Sequence, residues 1–245
     1  MVKIERTPTP PPSLAIERQK AHGSYRERDV IEQLKADFHG KCYICELDNL
    51  TDIQVEHLHP HYNRKRLELV FDWNNLFYCC PHCNNIKKAP QYDDKIIDCC
   101  TVDPEQMLCH EFDGKAVFVK PAVSQDEARM TAELITNCFE QRNTGIREVQ
   151  CEARFQRLAD TMNALYVALG RYKENTTSQK YFRALRGMLM REYRFAAFTR
   201  YYVRTHLMDY PGLSDLVACQ DRVDAVAALA KSAPDTLTLE QVGKE

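Results

Sequence analysis

Two cysteine pairs, each with two residues between its members, constrain this chain more than any other feature. Cys42 and Cys45 form the first pair, and Cys80 and Cys83 form the second. A tight turn between such cysteines directs both thiolates at one ion, and two turns complete the tetrahedral set of a closed structural zinc site. The 34 residues between the pairs, 46–79, exceed the roughly 15–20 of an ordinary zinc ribbon. We therefore predict a structural Zn²⁺ site that encloses an insertion.

The remaining cysteines and the apolar pattern bear on the compartment. No apolar run approaches the roughly 20 residues that span a bilayer, and the first residues lack the pattern of a secretory signal. We expect a cytoplasmic protein with no membrane partner, in which clustered cysteines bind metal rather than form disulfides. Of the other seven cysteines, Cys79 is the alternative zinc ligand because it directly precedes the second pair. The rest are expected to be small buried side chains.

The insertion and the residues after it carry side chains suited to hydrolysis. Alternating apolar residues over 53–57 predict a short strand that ends in Glu56 and His57. Pro81 suits the first turn of a helix, which would place Asn84 and Lys87 on one face. An imidazole can accept a proton from water near neutral pH, so His57 is the candidate general base.

Oxygen ligands and a cation complete this predicted site. Glu56 and Asn84 each offer an oxygen to a hard cation, a donor set that favours Mg²⁺ or Mn²⁺ for catalysis. Lys87 is expected to neutralise the scissile or an adjacent phosphate. His59 and His61 are open to two interpretations, as additional ligands or as histidines of a surface turn.

Taken in order, Glu56, His57, Asn75, Asn84 and Lys87 within the four-cysteine set resemble the HNH endonucleases, which carry a ββα-metal motif. The resemblance covers roughly residues 42–88. It implies hydrolysis of phosphodiester bonds to a 5′-phosphate and a 3′-hydroxyl, with Asn75 bracing the loop that orients the base. The chain departs from the common pattern, because Glu56 stands where Asp is frequent and Asn84 where His is usual.

The expected fold is α+β, with a small zinc-stapled ββα-metal unit followed by a mainly α-helical C-terminal half. We predict an extended Pro-rich arm over 1–23, a nuclease domain over 24–122 and a helical domain over 123–245. Ser24 and Glu27 predict a capping box for a helix that stops near Gly40. Asp113-Gly114 predicts the turn of a hairpin. Trp73 is expected to be a packing anchor, with base stacking as the alternative.

The second half of the chain reads as long helices with a basic surface. Apolar residues at helical spacing over 158–172 and 182–202 predict two long helices separated at 175–178, and a further helix runs through Leu213, Leu216, Val223, Val226 and Leu229. Residues 129–204 carry 14 basic and 7 acidic side chains, a net charge of +7 inside a chain of −2. Three interpretations stay open for the arginines here, namely a nucleic-acid clamp, a solvated face and a docking surface: Arg183, Arg186, Arg191, Arg194, Arg200 and Arg204. In the insertion, Arg64-Lys65-Arg66 is expected to contact a phosphate backbone.

The layout of the whole chain, with its Pro-rich start and helical half, also resembles the PtuB family of HNH subunits from Septu and retron-linked anti-phage defence systems. That resemblance implies an ATPase partner of the PtuA type, with a retron reverse transcriptase and its msDNA as further candidates. DNA is the expected substrate and RNA the alternative. Two other functions stay open, a non-catalytic zinc module that binds nucleic acid or protein, and a stand-alone restriction-type HNH nuclease.

Overall fold

The computed structural model describes residues 1–219 as a mixture of helices and two short antiparallel strand pairs. The coarse α+β class is confirmed, and helices dominate the described chain after residue 122. Three 3₁₀ turns lie at Trp73–Asn75, Pro90–Tyr92 and Pro211–Leu216. The other elements, in chain order, are α1 (Pro12–Arg18), α2 (Arg28–Asp37), β1 (Gln54–His57), α3 (Leu67–Val70), β2 (Leu76–Cys79), α4 (Pro81–Lys87), α5 (Pro104–Met107), β3 (Leu108–Phe112), β4 (Val117–Pro121), α6 (Asp126–Glu140), α7 (Gly145–Glu174), α8 (Gln179–Met188) and α9 (Ala196–Thr205).

A strand–strand–helix unit forms between the cysteine pairs and just beyond them. Strands β1 and β2 pair antiparallel, with Gln54 opposite Cys79 and His57 opposite Leu76. Helix α4 follows directly, with Pro81 at its first position, where the missing N–H has no partner to lose. The predicted strand and the predicted helix start are both present, and they bring the end of β1 against α4.

The arm over 1–23 differs from the expected extended segment. Residues Pro12–Arg18 form α1, because a proline at the first helical position already has a helical φ, while Pro11 before it is extended. The arm lies on the chain itself: the Thr7 hydroxyl donates to Asp37, and the indole of Trp73 donates to the Thr7 carbonyl at 2.8 Å. Trp73 is thus a buried anchor for the arm.

Helix α2 begins later than the predicted capping box. Its N-cap is Glu27, not Ser24, and Glu27 makes no side-chain cap. Ser24 is instead part of the connection from α1, where its N–H donates to the Glu17 carboxylate at 2.9 Å. The helix ends as expected, since Gly40 adopts a left-handed φ of 66°.

The hairpin and the first long helices agree with the sequence. Strands β3 and β4 pair antiparallel across Asp113-Gly114, and the Asp113 carboxylate accepts the N–H groups of Lys115 and Ala116. Helix α7 buries the whole apolar face predicted for it, and Ser178 caps α8 after the expected break. The buried face of α7 consists of Leu158, Met162, Leu165, Leu169 and Tyr172.

The second long helix predicted over 182–202 is two helices, α8 and α9. The chain leaves the helix after Met188 and re-enters it at Phe195, whose φ is 50°. Between the two helices, the buried ammonium of Lys41 donates hydrogen bonds to the carbonyls of Arg191 and Tyr193, at 2.6 and 2.8 Å. These tertiary hydrogen bonds replace helical ones, a preference that local periodicity does not encode.

The last predicted helix is only partly within the described residues. Leu213 and Leu216 lie in the 3₁₀ turn Pro211–Leu216, whereas Val223, Val226 and Leu229 lie outside the described residues. One continuous apolar core joins side chains from before and after residue 122. Over residues 1–219, no helix combines the length and the apolar character needed to cross a membrane.

Candidate functional site

Four buried cysteines from the two pairs meet at one point. Cys42 and Cys45 lie in the loop before β1, Cys80 caps α4, and Cys83 lies in the first turn of that helix. Their sulfur atoms all lie within 4.8 Å of one another. A zinc ion with Zn–S bonds of about 2.3 Å needs sulfurs about 3.8 Å apart, a spacing that is within this limit. The predicted structural zinc ligands are therefore brought together.

Arg154, for which sequence analysis predicts no role, lies against this cluster. It lies on α7, is 6% exposed, and donates from Nη2 to the Cys80 sulfur at 3.2 Å. Hydrogen bonds with the other three cysteines, and then the charge of Arg154, hold the pKa of Cys80 well below its usual value. Four thiolates around Zn²⁺ carry a net charge of −2, and Arg154 offsets part of it. The zinc cluster and α7 are thereby linked.

Cys79, the alternative ligand, lies outside the four-sulfur cluster. Its sulfur is 3.8 Å from that of Cys42, and burial raises the pKa of its thiol to about 12. Its S–H donates to the Cys80 carbonyl at 3.4 Å, so Cys79 packs beside the cluster as a protonated thiol. His82, inside the second pair, bonds the Cys138 carbonyl at 3.0 Å and Gln150 at 2.7 Å, so it ties the turn to α6 and α7.

The end of β1 and the face of α4 line one open cavity of about 510 Å³. Glu56 and His57 reach it from the strand, and Asn84 and Lys87 reach it from the helix. Four of the five residues predicted for catalysis and for the second metal thus share one space. Asn75 is not among the residues that line it.

His57 is held in one tautomer by a main-chain carbonyl. Its Nε2 lies 3.1 Å from the Val70 oxygen, which can only accept, so the proton is on Nε2 and Nδ1 carries the lone pair. Within residues 1–219, no protein group hydrogen-bonds Nδ1. Burial first, and then the nearby positive charges of Lys87 and Arg26, lower the pKa of His57 to about 4. The ring is therefore neutral at neutral pH and can accept a proton.

Asn75 braces the loop that follows His57. Its Oδ1 accepts from the His59 N–H at 2.7 Å, and its Nδ2 donates to the carbonyls of His59 and Leu69 at 3.0 and 3.1 Å. The side chain is buried, whereas the neighbouring Asn74 is exposed and has only its N–H bound to Asp72. Of the two asparagines, Asn75 has the contacts that the predicted bracing role requires.

Lys87 occupies a different place from the one predicted. Its ammonium, 6% exposed, donates to Glu56 Oε1 at 2.7 Å and to the carbonyls of His57 and Leu58 at 3.0 and 2.9 Å. All three N–H bonds are used, so contact with a substrate phosphate would require breaking them. The close packing of α4 on β1 explains why Lys87 does not face the substrate, because it places the ammonium next to the carbonyls at the end of the strand. Lys87 is a positioning residue here.

Glu56 and Asn84 can still hold a divalent cation. Each carboxylate oxygen of Glu56 accepts one hydrogen bond, from Lys87 or from the Tyr43 hydroxyl at 2.7 Å, and each keeps a further lone pair. Around them, the described residues form no group of three His, Cys, Asp or Glu ligands. Two protein oxygens suit Mg²⁺ or Mn²⁺, which keep several waters, better than they suit zinc. The donor set fits a hydrated hard cation.

Four of the six arginines with a predicted surface role are bound within the protein, and one of these, Arg194, pairs with Asp48 at 3.8 Å. Arg191, Arg200 and Arg204 converge on the buried carboxylate of Glu105, with Arg191 also paired to Asp103. These contacts, and not a metal, account for the second cluster of potential ligands, Asp103, Glu105 and Cys219. Arg183 and Arg186 of α8 are exposed, and for them the three interpretations of the surface stay open.

In the basic run over 64–66, two residues are bound within the protein and one is exposed. Arg64 donates to the Gly23 carbonyl and lies over the Phe71 ring, and Arg66 pairs with Asp94, so both stabilise the loop. Lys65 is exposed. Two further exposed cations, Arg26 and Lys88, line the cavity itself, and sequence analysis predicts no role for either of them.

In comparisons with models of protein families, with curated proteins and with solved structures, no match to this chain is found. The resemblance to HNH nucleases therefore rests on the sequence motif alone. The cysteine cluster compatible with zinc is the part of that likeness that the geometry supports directly.

Proposed function

We propose that this protein is a metal-dependent endonuclease of the HNH type that hydrolyses phosphodiester bonds in DNA. One observation supports this most: His57, whose Nδ1 has no protein partner within residues 1–219, lines a cavity that Glu56 and Asn84 also line. A proton acceptor beside two oxygen ligands is what metal-assisted attack by water on a phosphodiester requires. A zinc ion held by the four cysteines would have no open position and would stabilise the fold.

His57 takes a proton from water through Nδ1, and the water oxygen attacks phosphorus. The bond from phosphorus to the 3′-oxygen breaks, and the departing oxygen takes a proton from solvent water, which leaves a 5′-phosphate and a 3′-hydroxyl. The Val70 carbonyl keeps the proton of the resting ring on Nε2, and Asn75 fixes the loop that follows the base. Glu56 and Asn84 would hold Mg²⁺ or Mn²⁺, which supplies positive charge to the phosphate.

Substrate phosphates are attracted by exposed cations at the cavity. Arg26 and Lys88 line it and are exposed, whereas Lys87 is committed to Glu56. The role first assigned to Lys87 therefore passes to Lys88, its neighbour on α4, and to Arg26. Exposed cations of this kind contribute sequence-independent affinity that falls as salt increases.

The decisive assay follows cleavage of supercoiled plasmid, and of an RNA transcript in parallel, after EDTA dialysis and addition of Mg²⁺ or Mn²⁺. We expect zinc to survive dialysis, cleavage to need the added cation, and His57→Ala to lose about 10²–10⁴-fold in rate. The matched control is His22→Ala, an exposed histidine. Equal nicking by wild type and His57→Ala would refute the proposal, and cleavage of the transcript alone would change the substrate to RNA.

A second candidate is a non-catalytic zinc module that binds nucleic acid or protein. It is favoured by the neutralisation of Glu56 by Lys87. Within residues 1–219, Glu56 also belongs to no group of three His, Cys, Asp or Glu side chains close enough to share one ion. Under this alternative, His57→Ala would keep binding unchanged while Cys42→Ser would abolish it, and no cation would start cleavage.

We infer, from the layout of the chain, that the nuclease works as a subunit of an anti-phage defence complex with an ATPase of the PtuA type. The exposed apolar side chains Ile146 and Val149 of α7 offer a place for protein contact. Co-purification with the product of a neighbouring ATPase gene, and plaque counts with His57→Ala, test this. A monodisperse monomer that cleaves without a partner would instead indicate a stand-alone restriction-type nuclease, and recovery of a reverse transcriptase with its msDNA would extend the complex.

A further inference from the structure

A second imidazole, that of His61, lines the same cavity as His57. The two ring centroids are 4.5 Å apart and the rings meet edge to face at 78°. His59, two residues earlier, is not among the cavity residues and pairs with Asp94 at 2.8 Å. Of the two histidines that flank Pro60, only His61 therefore belongs to the site.

The free nitrogens of the two rings have opposite proton occupancy. The Arg64 N–H donates to Nδ1 of His61 at 3.0 Å, so this nitrogen carries the lone pair and Nε2 carries the proton. In His57 the Val70 carbonyl fixes the proton on Nε2 and leaves Nδ1 as acceptor. Within residues 1–219 neither His57 Nδ1 nor His61 Nε2 has a protein partner. The cavity thus holds one acceptor and one donor.

The separation of the rings decides what the donor can contact. In an in-line reaction the attacking and leaving oxygens lie on opposite sides of phosphorus. Two hydrogen bonds that approach those oxygens along the reaction axis would span about 6 Å, before the oxygen–phosphorus–oxygen axis is added. Rings with centroids 4.5 Å apart are too close for that arrangement. With His57 at the attacking water, the non-bridging oxygens, which lie between the two ends of the axis, are the ones nearest to the neighbouring ring of His61.

We propose that Nε2–H of His61 donates a hydrogen bond to a non-bridging oxygen of the scissile phosphate, an inference that rests on the proposed function. No proton is transferred in this contact, and His61 stays neutral throughout. This tautomer also excludes metal ligation by Nε2. A metal would need the lone pair on Nε2, which would move the proton to Nδ1, and the Nδ1–H would then face the N–H of Arg64. Burial, and then the charges of Arg64 and Arg26, lower the pKa of His61 and favour the neutral ring.

Two substitutions separate the role of Nε2–H as a donor from the role of Nδ1, which accepts the Arg64 N–H in the turn. In His61→Asn the amide oxygen can replace Nδ1 as acceptor for Arg64, but the Nε2–H donor is lost. In His61→Gln the amide nitrogen can reach the position of Nε2 and restore a donor. We expect His61→Asn to lose roughly 10–100-fold in kcat/KM, as for loss of one hydrogen bond to a charged group, and His61→Gln to recover part of it. The matched control, His59→Asn, should stay within about twofold.

Cleavage of phosphorothioate substrates distinguishes a phosphate contact by His61 from a purely structural role, which would leave the effect of sulfur on the rate unchanged. Sulfur replaces each non-bridging oxygen in turn, and the isomer whose sulfur faces the metal is identified by rescue with the softer ions Mn²⁺ or Cd²⁺. The other isomer should slow wild type and His59→Asn, but should react with His61→Asn at the rate of the normal substrate. A full sulfur effect on both isomers in His61→Asn, or equal losses in His59→Asn and His61→Asn, would overturn the proposal.

Nitrogen-15 NMR of labelled histidine in the full chain keeps the inference separate from the nuclease assignment. His61→Asn identifies the signal, which should show the Nε2–H tautomer and should shift on titration with dimethyl phosphate. If no nucleic acid is cleaved but this shift is seen, the nuclease assignment fails while the phosphate contact stands. An Nδ1–H tautomer, or no shift at saturating dimethyl phosphate, overturns the contact itself.

Discussion

The ammonium of Lys87 lies 2.7 Å from Glu56 Oε1, and both side chains are more than 90% buried. This pair joins the end of β1 to α4 and fixes the strand carbonyls beside the candidate base. Each partner of this buried ion pair needs the other, since either one alone would be an uncompensated charge away from water.

The Glu56–Lys87 pair should therefore dominate the stability of the strand–strand–helix unit. We expect Lys87→Met to lower the free energy of unfolding by about 3–5 kcal/mol, because Glu56 would be left unpaired. The double variant Glu56→Gln with Lys87→Met should recover much of this loss. Urea denaturation measures both. The exposed pair Arg28–Glu32 is the control, and Arg28→Met should change stability by less than about 1 kcal/mol. Additive losses in the double variant would show that the two residues are not coupled.

Asn75 should matter far more than its neighbour in sequence. Asn75→Ala removes three hydrogen bonds and leaves the His59 N–H without a partner, so we expect a stability loss of about 1–3 kcal/mol and a lower kcat with little change in KM. Asn74→Ala, at an exposed position, should be within about 0.5 kcal/mol of wild type. Denaturation and steady-state cleavage assays test the pair. If both variants lose kcat equally, the bracing role of Asn75 is wrong.

The zinc ligands and the strand–strand–helix order could be predicted because their signals are local. Two C-x-x-C spacings fix which sulfurs can meet, Pro81 marks a helix start, and the apolar face of α7 repeats at 3.6 residues. Each of these features acts over a few residues, so no knowledge of the tertiary structure was needed. The same holds for the Asp113-Gly114 turn.

The features that sequence analysis missed depend on residues far apart in the chain. The helix predicted over 182–202 is interrupted where Lys41, 150 positions away in the chain, donates a hydrogen bond to the Arg191 carbonyl. Arg154 reaches Cys80 across 74 positions, and an arginine within a helix pattern gives no sign of a thiolate partner. The pairing of Lys87 with Glu56 depends on how closely α4 packs on β1. Helical spacing placed Lys87 on the correct face but gave no measure of that distance.

Arg154 should control how tightly zinc is held. Arg154→Gln removes a buried positive charge from a cluster with a net charge of −2, so we expect zinc affinity to fall by about 10–100-fold. Release to a competing chromogenic chelator measures it. Arg157→Gln, one turn along α7 and partly exposed, is the matched control and should release zinc at the wild-type rate. Indistinguishable release from wild type and Arg154→Gln would mean that the arginine serves only to pack α7.

The arginine cluster around Glu105 should make stability depend on acid pH. Although burial alone would raise it, the pKa of Glu105 is lowered from 4.5 by the charges of Arg200, Arg204 and Arg191. A carboxylate whose pKa is lower in the folded state stabilises the fold above its unfolded pKa. That contribution is lost as the pH falls below about 4.5 and through the folded pKa. Thermal unfolding as a function of pH should show the fall.

Two variants with opposite expected effects on acid unfolding test this account of Glu105. Glu105→Gln should lower stability at pH 7 by about 3–5 kcal/mol, because Arg200 is left buried, and should flatten the fall below pH 4.5. Asp103 behaves in the opposite sense: burial, and then the charge of Glu105, raise its pKa, so its protonation offsets part of the acid loss. Asp103→Asn should therefore steepen the fall. If both variants have the wild-type slope, the acid sensitivity arises elsewhere, and the cluster contributes packing alone.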